Sequence, residues 1–450
     1  MDAQTPTQDL LFGLNDRPPW PKALLAAIAH LLAIVASIAT APLLIAQGLN
    51  LDVTTTSYVI SSALIVSGIA TLIQVVRVGP FGSGLLSIQG TSFAFIGAFI
   101  LAGGALASRQ LDSHEMVGTL LGSAAVCALL SVVAGFYVQH LARVVTPNVT
   151  GITIFLLGLT LVWVAIKNFR FTLDAVSASD LPVIMVWLQA IVVISVILFF
   201  STRSNPWLRL ASICLGLLIG MLFAVFTGSA QPLPEESLTG VTFIQFMPFP
   251  LGVDFAVCLL LLPIFFVTIA ESIGDLTATS MLSKQPLTGP DYWKRIRGGV
   301  MADGMNSVIA SLAGTFPNTT FSQNNGVIYL TGVASRLVGG LVAVLLIVLG
   351  ALPGFVALFQ SIPGGVLHSA TGLLFAMIAV TGFRLLRAQE NQARAMRMLI
   401  GCSILAFALT YVPSLLASVD VSLPDSLAIL FGFPVASGAL IALLWEWSGL

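Results

Sequence analysis

Long apolar stretches, separated by short polar or Pro- and Gly-containing breaks, recur along almost the whole chain from Trp20 to Leu450. A helix needs about 20 consecutive apolar residues to cross the hydrocarbon core of a bilayer. The pattern therefore predicts an all-α polytopic membrane protein with fourteen transmembrane spans. The predicted spans cover residues 21–47, 54–77, 83–104, 115–140, 147–166, 183–201, 207–227, 254–282, 297–314, 319–335, 336–359, 365–386, 396–415 and 425–446.

The composition supports this prediction and excludes several classes of function. The 450-residue chain is 57% hydrophobic and 8% charged, with a mean hydropathy of +1.01, which does not fit a soluble domain of this length. A net charge of -1 gives no basic surface for nucleic acid. The four cysteines stand singly within apolar runs, so we predict no metal site, no redox site and no cofactor. The N-terminal segment lacks the features of a cleaved signal peptide, and we expect the first span to be retained.

The distribution of Lys and Arg residues predicts the orientation. If the N-terminus is cytoplasmic, fifteen of the 18 Lys and Arg residues fall on inner segments and only Arg109, Lys167 and Arg170 on outer ones. This asymmetry follows the positive-inside rule and supports an even number of spans. We therefore predict a multi-pass protein of the cell inner membrane with both termini in the cytoplasm.

Two of the predicted spans carry Gly and amide residues at bilayer depth. Span 3 contains "GSGLLSIQGTSFAFIGAF" and span 10 contains "TTFSQNNGVIYLTG". They occupy matching positions in two halves of seven spans, and because seven is odd the second half must be inverted. Interrupted spans in matching positions of inverted repeats indicate a transporter binding site. We predict a short extended segment in each, with Gln323 to Gly326 extended in span 10. The amides could instead join helices, as Asn and Gln do in other bundles.

Span 8 places two carboxylates on one face of a helix inside the membrane. Glu271 lies near the middle of this span, and Asp275 follows one turn later. A carboxylate at that depth is costly and is functional by default, and two close carboxylates rarely both stay ionised. We therefore expect Glu271 to bind substrate and proton, although a structural role for either residue stays open. Asp303 in span 9 suits helix packing or gating as well as a direct role, and His30 in span 1 suits the core.

The stretch "QNNGVIYLTG" resembles the signature of the nucleobase-ascorbate transporter (nucleobase:cation symporter-2) family. That signature has Gln, Glu or Pro, then Asn, any residue, Gly, four residues, Thr, and Arg, Lys or Gly. In this chain it runs from Gln323 and Asn324, through Asn325 and Gly326, to Thr331 and Gly332. The likeness extends to "NDRPPW", "GSGLLSIQGTSF", "AESIGD", "GGVMADG" and "TGVASR", and is strongest to the bacterial xanthine permeases.

The resemblance implies fourteen spans in two inverted repeats of seven, proton-coupled uptake of a purine, and a homodimer. It also implies a division of the chain into two domains. A cytoplasmic tail (1–20) precedes a core made of spans 1–4 (21–145) and of the outer loop with spans 8–11 (231–360), and a gate is made of spans 5–7 (146–230) and 12–14 (361–450).

The resemblance also implies roles for individual residues. By motif position, Glu271, Gln323 and Asn324 look like the substrate-binding and selectivity residues. Asp303, Asp275 and His30 match polar positions that, in this family, support the binding site or take part in proton coupling.

Two residues of span 3 complete the expected binding site. Ser92 matches a position that borders the purine in this family, and Gln89 precedes it in the same segment. Some xanthine permeases carry Asn at the position of Ser92. The smaller Ser leaves urate open as a substrate besides xanthine.

The chemistry of the site agrees with a planar base as the ligand. A xanthine edge presents N–H donors beside C=O acceptors, and a carboxamide such as that of Gln323 offers both. An anion transporter of the sulfate or bicarbonate kind resembles this fold and is the main alternative, but Glu271 would oppose an anion unless protonated. A channel is a weaker alternative because the polar residues are concentrated in a few spans. No protease-like motif indicates an enzyme.

Overall fold

The computed structural model describes residues 10–144, 146–177, 182–230, 240–418 and 423–448. The first nine residues of the predicted cytoplasmic tail and residues 231–239 of the predicted outer loop lie outside the described residues. The described chain is mostly helical.

Several helices of the described chain match the predicted spans closely. In chain order the helices are α1 (Trp20–Gly48), α2 (Val53–Val76), α3 (Ile96–Ala107), α4 (Ser113–Phe136), α5 (Val138–Val144), α6 (Pro147–Ser177), α7 (Val183–Ser201), α8 (Pro206–Leu210), α9 (Ser212–Phe226), α10 (Phe255–Leu282), α11 (Gly289–Leu312), α12 (Gln323–Thr331), α13 (Arg336–Ala351), α14 (Pro353–Gln360), α15 (Gly364–Arg387), α16 (Gln392–Leu409), α17 (Val412–Ala417), α18 (Asp425–Phe431) and α19 (Pro434–Ser448). Three differ from the prediction: α6 continues past residue 166 to Ser177, α11 begins at Gly289 and not at residue 297, and α3 begins at Ile96 and not at residue 83.

The prediction of a polytopic helical membrane protein is confirmed. Within the described ranges, eight helices are long and apolar enough to cross a membrane, or nine if α13 and α14, bent by 76°, form one span. Every predicted span contains helix, but several are divided. Pro353 and Pro434 each stand at the first position of the second helix of a divided segment, where the missing N–H of proline costs nothing.

Acidic residues mark two of the helix beginnings. Asp52 caps α2, its carboxylate accepting a hydrogen bond from the backbone N–H of Thr55 at 3.0 Å. Hydrogen bonds from Thr55 hold the pKa of Asp52 below its usual value. Asp254 caps α10 in the same way by accepting a hydrogen bond from the N–H of Val257. Its carboxylate also forms an ion pair with Arg109 at 2.7 Å. These caps satisfy N–H groups that a helix leaves unpaired in its first turn.

Predicted spans 3 and 10 both contain an extended segment, and the two segments pair with each other. Strand β1 (Gln89–Thr91) runs antiparallel to β2 (Asn318–Thr320), with Gly90 opposite Thr319. A hydrogen bond at each end lengthens the ladder, from Ser92 N–H to Pro317 C=O and from Phe321 N–H to Ile88 C=O. The pairing satisfies backbone groups that lipid could not satisfy.

The placement of the extended segment in span 10 corrects one expectation. Residues Gln323 to Gly326 are not extended but form the first turn of α12, and the strand lies just before them. Strand β1 pairs with Asn318 to Thr320, whose N–H and C=O groups are free of a helix.

Helix packing brings distant segments together. α6 packs along α15, α2 along α13, and α4 along α11. Glycines allow these close approaches: a Cβ atom at Gly68 of α2 would lie 2.5 Å from the carbonyl of Ala343 on α13, and one at Gly158 of α6 would lie 2.3 Å from the nitrogen of Ala379 on α15. Small residues at helix interfaces are typical of bundles within membranes.

Candidate functional site

A cavity of about 300 Å³ lies beside the two strands. One wall is polar and comes from β2 and the beginnings of α3 and α12 together with the middle of α10. The other wall is mostly apolar and comes from α6 and α15. The polar wall holds Ser92, Glu271, Asp275, Thr319, Thr320, Ser322 and Gln323, and the facing wall holds Thr150, Ile154, Leu157, Leu374, Ile378, Thr381 and Leu385.

Glu271 and Gln323 are two polar side chains of this cavity that remain available to a ligand. Both line the cavity and both are partly exposed. Neither side chain makes a hydrogen bond within the part of the chain that the structure describes. A carboxylate accepts hydrogen bonds and a carboxamide both donates and accepts them. The pair therefore offers complementary groups to the edge of a polar, planar molecule.

α10 presents its two carboxylates on the face predicted from their spacing. Glu271 and Asp275 line the same cavity and are close enough to interact electrostatically. Gly274 lies between them on the cavity wall, and a Cβ atom there would meet nothing within 4 Å. This helix therefore leaves open space beside both carboxylates.

The two middle residues of the signature face away from the cavity. Asn324 is buried, and its Nδ2 donates to the carbonyl of Leu86 before β1. Asn325 accepts a hydrogen bond from Thr279 on α10 at 2.6 Å and donates to the carbonyl of Asp275 at 3.4 Å. These two amides tie α12 to the strand segment and to the carboxylate helix.

The end of the signature terminates α12. Gly332 adopts a left-handed conformation with φ of 64°, which favours glycine at a helix end. Its carbonyl accepts hydrogen bonds from the N–H groups of Leu11 and Phe12 at 2.9 and 3.1 Å. The hydroxyl oxygen of Thr331 accepts a hydrogen bond from the N–H of Val333. The signature thus also fixes where the N-terminal segment docks.

Asp303 lies behind the polar wall and not in the cavity. Its carboxylate accepts hydrogen bonds from Gln74 of α2 at 3.0 Å, from Ser272 of α10, and from Thr320 of β2 at 3.1 Å. Gln89 donates to the same Thr320 hydroxyl at 2.9 Å. Asp303 therefore joins α2, α10, α11 and the strand pair immediately beneath the cavity.

The residues expected at the site consequently divide into two groups. Glu271, Asp275, Gln323 and Ser92 line the cavity, whereas the other expected residues do not; these are Gln89, Asn324, Asp303 and His30. His30 is fully buried, and neither ring nitrogen has a hydrogen-bond partner among the described residues.

Sequence reasoning missed Gln74 and Thr319. Gln74 is fully buried and uses its whole amide: besides Asp303, it donates to Gly299 C=O and accepts from Ser83 N–H at 2.7 Å. Thr319 lines the cavity with a buried hydroxyl that has no partner within the described chain. In the sequence, Gln74 stands out as a lone Gln inside the apolar span 2. Thr319 stands out as one of a pair of threonines just before the signature.

The beginnings of α3 and α12 meet at the cavity. Ser92 caps a 3-10 turn, Phe93–Phe95, that leads into α3, accepting a hydrogen bond from Ala94 N–H. The rings of Phe93 and Phe321 are parallel within 6° at a centroid separation of 6.5 Å. Both Phe residues line the cavity, so a flat apolar surface adjoins two helix N-termini, which carry partial positive charge.

No cluster of three or more His, Cys, Asp or Glu side chains able to hold a metal ion occurs among the described residues.

Known permeases are similar to this chain, and the matches cover most of its length. The family model Xan_ur_permease, described as a permease family, matches residues 21–415. Xanthine permease XanP of Escherichia coli (strain K12) is 38% identical over 447 residues, 98% of this chain and 95% of the relative. The uric acid-xanthine permease of Emericella nidulans is 32% identical and covers 90% of this chain and 75% of the relative.

Solved structures with a similar fold are membrane transporters. The transmembrane domain of a cyanobacterium bicarbonate transporter, BicA, matches with a TM-score of 0.60 at 16% identity, over 87% of this chain and 97% of that one. SLC26A9 matches with a TM-score of 0.55 at 13% identity, over 94% of this chain and 65% of that one. At such low identity the likeness concerns the fold alone.

Proposed function

The chain belongs to the Xan_ur_permease family of permeases, the nucleobase-ascorbate transporters, and from this premise we propose that it imports xanthine by proton-coupled symport. The observation that carries the proposal is the unpaired Glu271 and Gln323 in a shared cavity. Its volume of about 300 Å³ lies at the lower end of the range for small-molecule sites, as suits a bicyclic purine. Relatives at 38% identity are named xanthine permeases.

We assign direct contacts to the four expected residues that line the cavity. Glu271 accepts hydrogen bonds from ring N–H groups, and Gln323 pairs with an adjacent N–H and C=O edge. Ser92 borders the ring. Asp275 faces the same space as Glu271, and proton uptake by this pair of carboxylates would reduce their mutual repulsion. Substrate and proton are thereby bound at one place.

The remaining expected residues act through the cavity wall. Gln89 and Asn324 hold β1 and α12, and Asp303 holds β2 and α10, so each fixes the position of a group that contacts the ligand. His30 is a supporting residue of α1. The signature residues Asn325, Gly326, Thr331 and Gly332 shape α12 and its ends.

The proposed architecture is fourteen spans in two inverted repeats of seven. Helix packing supports it: spans 2 and 11 pack together, as do spans 9 and 4, and a shift by seven spans exchanges these two pairs. The strand pairing between spans 3 and 10 and the packing of span 5 along span 12 map onto themselves under the same shift. A repeat relationship predicts this set of contacts.

The core and gate division follows from the two walls of the cavity. The polar wall belongs to spans 3, 8 and 10 of the proposed core, and the apolar wall to spans 5 and 12 of the proposed gate. Movement of one domain against the other would give alternating access without dismantling the polar wall. We further propose a homodimer in the cell inner membrane with both termini in the cytoplasm. The excess of inner Lys and Arg supports this orientation.

Urate is a second candidate substrate. Ser92 is small and leaves room beside the ring, and a relative covering 90% of this chain is named a uric acid-xanthine permease. Transport of a small inorganic anion is disfavoured because two carboxylates line the cavity, and the bicarbonate transporter resembles this chain in fold alone.

The test is uptake of radiolabelled xanthine by cells that express the protein, with and without a protonophore. We expect the protonophore to abolish accumulation, unlabelled urate to compete, and uracil not to compete. Well-expressed protein that takes up no xanthine would refute the purine assignment. Xanthine uptake that persists without a proton gradient would refute the coupling alone.

A further inference from the structure

Three arginines converge at the proposed inner end of the core, away from the cavity. Arg77 follows α2, Arg295 lies in the second turn of α11, and Arg336 begins α13. Each pair among the three is close enough for electrostatic repulsion. We call this group the arginine cluster.

The loop after α2 brings the three side chains together. Gly82 of this loop donates its N–H to the carbonyl of Gly298, one turn beyond Arg295, at 2.7 Å. Gly84 of the same loop accepts a hydrogen bond from Nε of Arg336 at 2.6 Å. A Cβ atom at Gly82 would lie 2.9 Å from the Cα of Arg77. The loop is therefore held against α11 by a backbone hydrogen bond and against Arg336 by a side-chain hydrogen bond to its backbone.

Among the described residues, little negative charge offsets the repulsion within the cluster. None of the three arginines forms an ion pair with a carboxylate in the described chain, and Asp291 is the one acidic residue there that acts on Arg295. Arg295 donates a hydrogen bond from Nη2 to Oε1 of Gln285 at 3.1 Å, while its other terminal nitrogen, Nη1, is shielded from solvent and has no described partner. A guanidinium in such a position needs an acceptor.

The backbone adds a further cost at the same place. Arg77 has φ of 73° and ψ of 94°, a region that side-chain-bearing residues rarely adopt. Backbone strain of this kind persists where the surrounding structure imposes it, often at binding sites. Repulsion, an unpaired guanidinium nitrogen of Arg295 and the strained backbone of Arg77 thus occur in the same cluster.

We propose that the arginine cluster binds a phosphate group at the inner face of the core, either from an anionic lipid headgroup or from a soluble phosphate. Arginine forks match phosphate oxygens in geometry and charge, and the inner leaflet attracts clustered basic residues. Bound phosphate would neutralise the repulsion and hold the inner ends of α2, α11 and α13 together.

The experiment measures thermal unfolding of the purified full-length chain in detergent. One arm adds phosphatidylglycerol or phosphatidylcholine to the micelles, and the other adds inorganic phosphate or chloride at equal ionic strength. The variants are Arg77→Gln and Arg295→Gln. The control is Arg203→Gln, whose guanidinium packs over Phe199 on α7, outside the cluster.

We expect phosphatidylglycerol or inorganic phosphate to raise the unfolding temperature of the wild type and of Arg203→Gln. The concentration of phosphatidylglycerol or phosphate that gives half of the maximal rise in unfolding temperature should increase at least about tenfold in Arg77→Gln and Arg295→Gln, because a charge-assisted hydrogen bond to phosphate is lost. A response to the lipid alone assigns the headgroup as the source, and a response to inorganic phosphate alone assigns a soluble source.

A second readout separates binding from a structural role. Without added phosphate or lipid, Arg77→Gln should unfold at the same or a higher temperature than the wild type, because one repelling charge is removed. A lower temperature would show that the chain itself stabilises the cluster and would overturn the proposal. Equal responses of all variants, or no response of the wild type beyond the chloride control, would overturn it as well.

Discussion

The pair of variants Glu271→Gln and Asp303→Asn tests the assignment of direct and indirect roles. Both replace a carboxylate by its amide and nearly preserve shape. Glu271 lines the cavity and makes no hydrogen bond with the described chain, whereas Asp303 accepts hydrogen bonds from three side chains and does not line the cavity. The same chemical change should therefore affect different quantities at the two positions.

The structure sets the expected magnitudes. A hydrogen bond to a charged group contributes about 1.5–3 kcal/mol, so losing the ligand contact of Glu271 should weaken xanthine binding roughly ten- to hundredfold. The unfolding temperature of Glu271→Gln should not fall, because no partner in the described chain is left unpaired. Asp303→Asn replaces one acceptor oxygen by an NH2 donor, leaves at least one of the three donors without its acceptor, and should lose about 1–3 kcal/mol of stability.

The assay combines equilibrium binding of radiolabelled xanthine to purified protein with thermal unfolding of the same samples. Xanthine should raise the unfolding temperature of the wild type, and this ligand-dependent shift should shrink in Glu271→Gln. The reasoning is refuted if Glu271→Gln binds xanthine within twofold of the wild type. It is also refuted if Glu271→Gln is destabilised as much as Asp303→Asn.

Three further variants test the strand pair, the cavity wall and a cap. Gly90→Ala should cost about 1–3 kcal/mol, because the added Cβ would lie 2.7 Å from the ring of Phe321, and thermal unfolding measures the loss. Ser92→Asn should narrow the cavity and weaken urate competition more than xanthine uptake, which competition assays with both purines would show. Asp52→Ala should cost about 1 kcal/mol through the lost bond to Thr55. Because the folded pKa of Asp52 is lowered, this contribution is present at neutral pH and lost as pH falls through that lowered value, so the variant and wild type should converge in acid.

The long helices could be predicted from the sequence because burial in lipid requires an unbroken apolar run. α1, α2, α10 and α15 begin and end within two residues of the predicted spans 1, 2, 8 and 12. Extended segments in spans 3 and 10 were also predictable, because Gly and Thr stand where apolar residues would continue a helix. Their antiparallel pairing is a tertiary contact between residues more than 200 positions apart, which no local pattern contains.

The direction of individual amides could not be predicted. Gln323 and Asn324 are neighbours in the signature, yet one lines the cavity and the other is buried against the carbonyl of Leu86. Successive residues of a helix differ by about 100° in direction, so their roles depend on where α12 begins. The expectation of an extended stretch at Gln323 to Gly326 was wrong because the strand ends at Thr320 and α12 already begins at Gln323.

The two walls of the cavity differ in whether their polar side chains already form hydrogen bonds within the protein, and this difference affects how each wall can move during transport. The hydroxyl of Thr150 on α6 donates to the carbonyl of Thr146 just before that helix, and the hydroxyl of Thr381 on α15 donates to a carbonyl of its own helix. The other residues of this wall are apolar. On the opposite wall, Glu271 and Gln323 have no described partner. Directional bonds to a ligand should therefore form almost entirely with the core wall. The α6–α15 wall can then slide past the bound ligand without breaking hydrogen bonds, so variants of Thr150 that keep its size, such as Thr150→Val, should change the rate of uptake more than the affinity for xanthine.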